Sequence, residues 1–418
     1  MTENAPSSKN LVADSYAAIL LAGVLVFSLF FFYSPGTSDV QVDLQWITNA
    51  ENHGIREGYA ANEDSYPPLV PSTLYSLSRI GNRFDLDHFV DFKIALYLWF
   101  CATGLAFLCC TKNPAMTSLL LFSLVLNSVA LGYLDIFLAP TLVLAFWSLR
   151  QKRLAWFSAL YVASCLFKFQ PLIIAPFLLI YLIVIARRES WQATLAGFGR
   201  LVILPTLAVL IPCFAFFGTE ILKALVRAFT YHPQLSANAT NFNWILTYLF
   251  HVFVPAKYGA LIHGRPELIE DQPISILCRA FFGVCYLWSL AQFARRNKTF
   301  ENLLFFSILG YLAYFTFNIG VHENHLFLPI ILGLFLAAQN RSYLPLALAT
   351  ALISNLNLLV FYGIDGKGLP FDRVVGVDLS VVLAVLEVVF FICFAWTASK
   401  RPIPVMAPQT GEEAMIRL

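Results

Sequence analysis

Charged residues are scarce in this sequence. Only 12% of its 418 residues are charged, whereas 59% are hydrophobic and the mean hydropathy is +0.70. A soluble domain carries roughly twice as many charges, so the composition predicts a polytopic membrane protein. The net charge of +2 gives no reason to expect a nucleic-acid partner, because in such a chain the placement of charges matters more than their sum.

Paired cysteines and metal-ligand spacings are also missing. The eight cysteines fall within or at the ends of apolar segments, and no two form a C-x-x-C pair. They are expected to be small buried apolar residues, with no metal, cofactor or redox role. Because the chain also lacks internal repeats and low-complexity tracts, we expect a single integral membrane domain over residues 1–418.

Long apolar runs predict an all-α fold with about twelve membrane-spanning helices, since a helix needs roughly 20 apolar residues to cross a bilayer. The first run has no small-residue cleavage site, so it is expected to be a span and not a removable signal peptide. The predicted spans are 15–33, 89–110, 115–132, 135–149, 154–167, 171–186, 195–217, 274–293, 301–320, 325–339, 343–363 and 379–398.

The basic residues predict the orientation, because short cytoplasmic loops collect Lys and Arg. With both termini in the cytoplasm, including a tail at 402–418, every basic cluster in the short loops falls on the cytoplasmic side. The two long segments 34–88 and 218–273 then face outward. Their alternating apolar residues predict helices that lie on the membrane. The clusters are Lys112, Arg150/Lys152/Arg153, Arg187/Arg188, Arg295/Arg296/Lys298, Arg341 and Lys400/Arg401.

Acidic residues of the outer face are the first candidates for chemistry. Asp43 follows the first span in a partly apolar setting, where a carboxylate suits a general base, although residue type alone favours a cap of a surface helix. Asp64 precedes Tyr66 in a Pro-rich turn that is expected to be rigid. Asp135 lies in a very short connection, where it would face a protein cavity or cap the next span.

Lys168 departs from the charge rule because it sits in a tight outer turn before Gln170. It would either snorkel or hold an anionic group such as a phosphate. In the long segment 218–273, Arg227 precedes an amide-rich run that contains Asn241 and Trp244. Such a run suits sugar hydroxyls and ring stacking, but these are also ordinary loop residues.

The segment Val321-His322-Glu323-Asn324-His325 lies between two apolar runs. Its H-E-N-H order is one residue shorter than the H-E-x-x-H spacing of zinc hydrolases, so a zinc site is not expected. An imidazole near a phosphate, with Glu323 holding a helix terminus or an arginine, fits better. A transporter would instead place ionisable groups near the membrane mid-plane in broken helices, often in two matching halves, and neither feature is found.

In their order along the chain, these elements resemble the GT-C class of membrane glycosyltransferases that use polyprenyl-phosphate-linked sugars. The similarity is greatest to the glucosyltransferases that extend the N-glycan precursor and to their bacterial mannosyl- and glucosyltransferase relatives. It runs from Asp43 to Pro329 and includes a D-Y-P-P-L-like element at 64–69, Asp135, an F-K-Q-like element at 167–170 and an R-x-F…N-F-W-like element at 227–244. A V-H-E-K-like element follows at 321–324, with Asn324 in place of Lys.

The resemblance implies an inverting transfer of glucose or mannose without a metal or cofactor. Asp43 would be the base, and Lys168, Arg227 and His322 would contact the donor phosphate. Supporting or substrate-binding roles would fall to Asp64, Tyr66, Asp135, Gln170, Asn241, Trp244, Glu323 and His325.

The implied partners are a polyprenyl-phosphate sugar, a lipid-linked or cell-envelope glycan acceptor and membrane lipids. The implied location is the bacterial plasma membrane, with the endoplasmic reticulum as the alternative. Transfer to protein would call for a further large soluble domain. A flippase or transporter for lipid-linked sugars is the non-enzymatic alternative.

Overall fold

The computed structural model describes residues 8–187, 190–230, 232–369, 373–374 and 376–401. The predicted cytoplasmic tail 402–418 lies outside these residues. A short antiparallel hairpin, β1 (Arg373–Val374) and β2 (Val377–Asp378), precedes the last helix. The α-helices of the described part are α1 (Ser8–Leu29), α2 (Asp39–Asn62), α3 (Leu69–Gly81), α4 (His88–Thr111), α5 (Pro114–Leu124), α6 (Ala139–Arg150), α7 (Leu154–Phe167), α8 (Ala175–Ala186), α9 (Trp191–Phe198), α10 (Leu204–Phe217), α11 (Glu220–Thr230), α12 (Phe242–Phe253), α13 (Pro255–Tyr258), α14 (Gln272–Ala294), α15 (Phe300–Phe317), α16 (Phe327–Gln339), α17 (Leu344–Tyr362) and α18 (Leu379–Ser399).

Six helical stretches in the described part are long and apolar enough to cross a membrane, and six shorter apolar helices accompany them. The chain is therefore an all-helical, membrane-embedded protein, as its composition predicts. The two long segments predicted to face outward also carry helices, α2 and α3 in the first and α11 to α13 in the second. The six long stretches are His88–Thr111, Trp191–Phe217, Gln272–Ala294, Phe300–Phe317, Arg341–Tyr362 and Leu379–Ser399.

Local sequence sets where several helices begin. The Asp87 carboxylate accepts a hydrogen bond from the backbone N–H of Val90 at the start of α4, and Asn113 does the same for α5, whose first residue is Pro114. Thr299 caps α15 in the same way. These side chains satisfy N–H groups that the first turn of a helix leaves free, and Pro is tolerated at the first position because it has no N–H.

The helices α15 and α16 form the centre of the bundle. Most of their residues are buried, including Gly310 and Gly333. At the other extreme, very few residues of the stretch Trp191–Phe217 are buried. Apolar side chains on such a surface are typical of contact with lipid, because lipid tails are as apolar as the side chains themselves.

The two ends of α15 differ in chemistry. At its first end, the Arg296 guanidinium donates to the backbone oxygen of Ala398 at 2.9 Å, and Arg401 donates to Asn302. At its other end, the Asn241 and Asn243 amides donate to the backbone oxygens of Phe315 and Phe317, at 2.9 and 3.1 Å. The connections before α2, α6, α8, α12 and α16 all meet at this second end, where they form the candidate site.

Candidate active site

Three carboxyl groups face one another at this end of the bundle. Asp39 and Asp43 lie four residues apart on α2, so they share a helix face. Asp64 follows the same helix, and its carboxylate accepts hydrogen bonds from the backbone N–H and hydroxyl of Ser65. Asp43 is only 4% exposed and forms no hydrogen bond or ion pair within the described part of the chain.

The electrostatics of this group disfavour the charged form of Asp43. Burial raises the pKa of Asp43 well above its ordinary value, the negative charges of Asp39 and Asp64 raise it further, and Lys168 opposes them. Burial also raises the pKa values of Asp39 and Asp64. A buried carboxyl with a raised pKa becomes a stronger base once it has lost its proton. Asp43 lies inside α2 and does not cap it, which removes the structural alternative considered above.

An aromatic wall separates the acidic group from the bundle. The rings of Trp46 and Tyr66 lie 5.2 Å apart between centroids, and the Tyr59 hydroxyl donates to the backbone oxygen of Tyr66 at 2.9 Å. The Lys168 ammonium nitrogen lies 5.1 Å from the centre of the Tyr66 ring, an arrangement typical of a cation–π contact. The Pro-rich turn at 64–68 thereby places Tyr66 beside the lysine and within reach of the carboxylate charges.

A buried ion pair joins two of the connections. Lys168 Nζ lies 2.8 Å from Asp135 Oδ1, and the two side chains are 10% and 0% exposed. The Asn324 amide donates to the other oxygen, Asp135 Oδ2, at 2.8 Å. Burial raises the pKa of Asp135, while the Lys168 charge and the Asn324 hydrogen bond oppose the shift. Asp135 therefore faces protein groups and does not cap a helix, and Lys168 is held in place and does not snorkel.

Three histidines form the opposite wall. The His232 and His322 rings meet edge to face with centroids 4.2 Å apart, and His325 lies 5.4 Å from His322. The Tyr314 hydroxyl lies 3.1 Å from His325 Nδ1. The surrounding protein, with His232 and Lys168, lowers the pKa of His322 to about 3. The His322 side chain exposes 31% of its surface, and its imidazole is neutral at neutral pH.

A turn with a left-handed glycine places His322. Gly320 has φ +61°, and a Cβ atom there would lie 2.4 Å from the backbone oxygen of His232. The backbone N–H of Gly320 donates to Gln234 at 2.8 Å, and Ala237 donates to Val321 at 3.0 Å. This backbone pairing brings the histidine at 232 beside the two that follow Gly320.

Glu323 lies in the first turn of the 3-10 helix Glu323–Leu326 that leads into α16, so it stands at a helix terminus as expected, and it forms no ion pair with an arginine among the described residues. Its carboxylate accepts a hydrogen bond from the Tyr133 hydroxyl, and its Oε2 lies 3.9 Å from His322 Nδ1. Its backbone oxygen accepts from the Asn357 amide at 2.8 Å. Because Glu323 is only 2% exposed, it anchors the histidine segment to the bundle.

The remaining predicted residues lie at increasing distance from this centre. Gln170 is 7% exposed, and neither atom of its amide has a hydrogen-bond partner among the described residues. Arg227 lies on α11 beside Tyr59, where its charge acts on the phenol, so it belongs to the rim. Asn241 caps α12 by accepting from the backbone N–H of Trp244, and the Trp244 indole donates to Ser380 at 2.7 Å. Both of these side chains are at most 1% exposed and support the fold.

The sequence reasoning missed Asp39, His232 and Tyr133. Asp39 had a detectable signal, since it precedes Asp43 by one helical turn and shares its face as soon as the segment is helical. His232 and Tyr133 had none, because each reaches the site through contacts with residues distant in the sequence, His322 and Glu323.

Comparison with known proteins adds no assignment: the chain matches no protein-family model, and no curated protein is similar to it. In the part of the chain that the structure describes, no group of three or more His, Cys, Asp or Glu side chains is arranged to hold a metal ion.

Proposed function

We propose that the protein is an inverting glycosyltransferase. It would transfer glucose or mannose from a polyprenyl phosphate to a lipid-linked or cell-envelope glycan. The observation that carries the proposal is an unpaired, buried carboxyl, Asp43, close enough to Lys168 for their charges to interact, while the same lysine acts on the neutral imidazole of His322. The order of sequence elements that resembles GT-C enzymes supports the same reaction.

In the proposed reaction, Asp43 takes the proton of an acceptor hydroxyl. The acceptor oxygen then attacks the anomeric carbon of the donor sugar, and the bond from that carbon to the phosphate oxygen breaks. The electron pair of the broken bond stays with the polyprenyl phosphate. A carboxyl with a raised pKa suits this proton transfer, because its basicity is closer to neutral pH than that of an ordinary aspartate.

The leaving phosphate would be stabilised from the lysine and histidine side of the site. An ammonium has three N–H donors, and the contact with Asp135 leaves others of Lys168 for an oxyanion. A neutral His322 can donate one N–H without the repulsion that a charged pair of histidines would suffer. The unpartnered amide of Gln170 offers a further donor to a phosphate or a sugar hydroxyl. Donors fixed before the reaction stabilise developing charge most effectively.

The proposal includes twelve spans, cytoplasmic termini and a site on the outer or lumenal side. The separation of basic residues, such as Arg296 and Arg401, from the site along α15 supports this orientation. A bacterial plasma membrane is the proposed location and the endoplasmic reticulum the alternative.

A flippase or transporter is the alternative function, and buried ionisable groups deep within the spans would favour it. Lys93 and Glu387 are buried within α4 and α18. Lys93 donates to the backbone oxygen of Val129 at 2.8 Å, and Glu387 accepts from Thr316 at 2.6 Å, one residue before the end of α15. Lys93 lies near the site end of α4, which favours the enzyme, whereas Glu387 lies near the middle of α18 and contacts the site end of α15.

The test is an activity assay on purified protein in nanodiscs with a panel of short-chain polyprenyl-phosphate hexoses and polyprenyl-linked glycans as acceptors. We expect release of polyprenyl phosphate and a product with inverted anomeric configuration. Asp43→Asn should abolish both, whereas the control Asp85→Asn, at an exposed carboxylate of the same outer segment, should not. Failure with every donor, or full activity of Asp43→Asn, would contradict the proposal.

A further inference from the structure

A cavity of about 490 Å³ opens beside the histidine segment. It lies between the segment before α12, the connection before α14 and the end of α17. Its volume falls within the range of roughly 300–1,000 Å³ that is usual for small-molecule sites. Its lining includes Asn238, Trp244, Arg265, Glu267, Leu268 and Phe361.

Asn238 connects this cavity to the candidate active site. Its backbone pairs with His322, and its side-chain amide donates to the Tyr362 hydroxyl at 3.3 Å. The Tyr362 ring meets the Tyr133 ring edge to face with centroids 6.3 Å apart, and Tyr133 in turn donates to Glu323. One residue therefore borders the cavity on one side and the segment that carries His322 on the other.

The cavity does not have the chemistry of an anion site. The Arg265 guanidinium donates from Nε to Asp378 at 3.2 Å, and Asp378 is 1% exposed, so the arginine charge is balanced within the protein. The Glu267 side chain is exposed and adds a negative group. A second phosphate or a carboxylate is therefore a poor match for this lining.

The same lining suits a neutral polyhydroxyl ligand. Phe361 offers a ring face, and the Arg265 Cζ atom lies 5.6 Å from its centroid, so an apolar surface is bordered by N–H donors. Asn238 and Glu267 add an amide and a carboxylate that can bind hydroxyl groups. Ring stacking combined with several hydrogen-bonding side chains is the pattern by which proteins hold sugars without charge.

We propose that this cavity binds a neutral hexose unit of the acceptor glycan. The unit it holds would lie next to the sugar whose hydroxyl reaches Asp43. The description of this hexose as part of an acceptor rests on the proposed glycosyl transfer. Binding of a hexose in the cavity does not depend on that reaction. Its volume leaves room for one or two hexose rings.

The test is direct binding of methyl α-mannopyranoside, methyl β-glucopyranoside and the methyl glycoside of a disaccharide, by saturation-transfer NMR. The protein is held in nanodiscs, because maltoside detergents would compete. Phe361→Ala removes the ring face, and Leu268→Trp fills the cavity from an exposed position. Phe253→Ala is the matched control, since that ring is 75% exposed on α12 and outside the cavity.

We expect at least one probe to bind the wild type and both cavity variants to bind it about tenfold more weakly, the effect of losing a stacked ring. The Phe253→Ala and Asp43→Asn proteins should bind as the wild type does. No binding by the wild type, or equal binding by both cavity variants, would overturn the inference. A protein that binds the probe but transfers no sugar would retain the cavity site and refute the proposed reaction alone.

Discussion

The pKa of Asp43 depends on its neighbour Asp39, and Asp39→Asn tests this directly. Side chains one helical turn apart place their carboxylates on the order of 6 Å from each other. The Asp39 side chain is exposed, yet the protein around its carboxyl still raises its pKa, so the effective dielectric constant lies between the roughly 20 of pairs near a protein surface and the roughly 80 of water. The repulsion is then about 0.7–3 kcal/mol. The substitution should therefore lower the pKa of Asp43 while burial keeps it above the ordinary value.

Infrared difference spectroscopy during a pH titration measures this pKa without any substrate. The carboxylic-acid band of Asp43 is identified by its loss in Asp43→Asn, and its midpoint is compared between the wild type and Asp39→Asn. The control is Glu57→Gln, an exposed acid on the same helix that is not among the charges acting most strongly on Asp43. An unchanged midpoint in Asp39→Asn, or an equal shift in the control, would refute the electrostatic account of this site.

Three further predictions concern stability, each read by thermal denaturation in detergent. Lys168→Met leaves the buried Asp135 carboxylate without its ion-pair partner and should lower the free energy of unfolding by about 3–5 kcal/mol. Adding Asp135→Leu to this variant should recover part of that loss. If the effects of the two substitutions simply add, the two side chains do not stabilise the protein as a pair. Gly320→Ala should cost about 1–2 kcal/mol or more, because its φ is positive and the new Cβ would collide with His232; wild-type stability would show that the turn relaxes freely. Asp43→Asn should raise the free energy of unfolding relative to the wild type by a growing amount as pH rises. The reason is that a carboxyl with a raised folded-state pKa contributes stability that is present below about pH 4 and lost as pH rises through the folded-state pKa. A difference between the two proteins that does not change with pH would contradict the shift.

The helices were largely predictable from the sequence because a backbone that crosses lipid must satisfy its own hydrogen bonds. Each predicted span overlaps a helix, since a long apolar run has few other stable forms in a bilayer. The boundaries near the site were less accurate. The span expected at 135–149 begins as a helix only at Ala139, because 134–138 forms a short 3-10 turn that aims Asp135 at Lys168. Such a turn depends on a partner some thirty residues away in the sequence.

The sequence predicted which residues belong to the candidate site better than it predicted what each of them does. Asp43, Lys168 and His322 were expected at one face, and in the structure the charge of Lys168 acts on both of the others. Asn241 and Trp244 were considered for sugar binding because amides and aromatics suit sugars. Their partners, Phe315 and Ser380, lie 74 and 136 residues away and make them a helix cap and a core contact. Local sequence cannot distinguish these uses, since it does not contain the partner.

The measurement closest to the central claim separates donor binding from turnover. A synthetic polyprenyl-phosphate hexose is titrated against the wild type, Asp43→Asn and Lys168→Ala, and transfer is measured on the same samples. The account predicts that Asp43→Asn binds the donor as the wild type does but loses turnover by about 10²–10⁴-fold, whereas Lys168→Ala binds the donor more weakly. Turnover by Asp43→Asn at the wild-type rate, or unchanged donor affinity in Lys168→Ala, would contradict it.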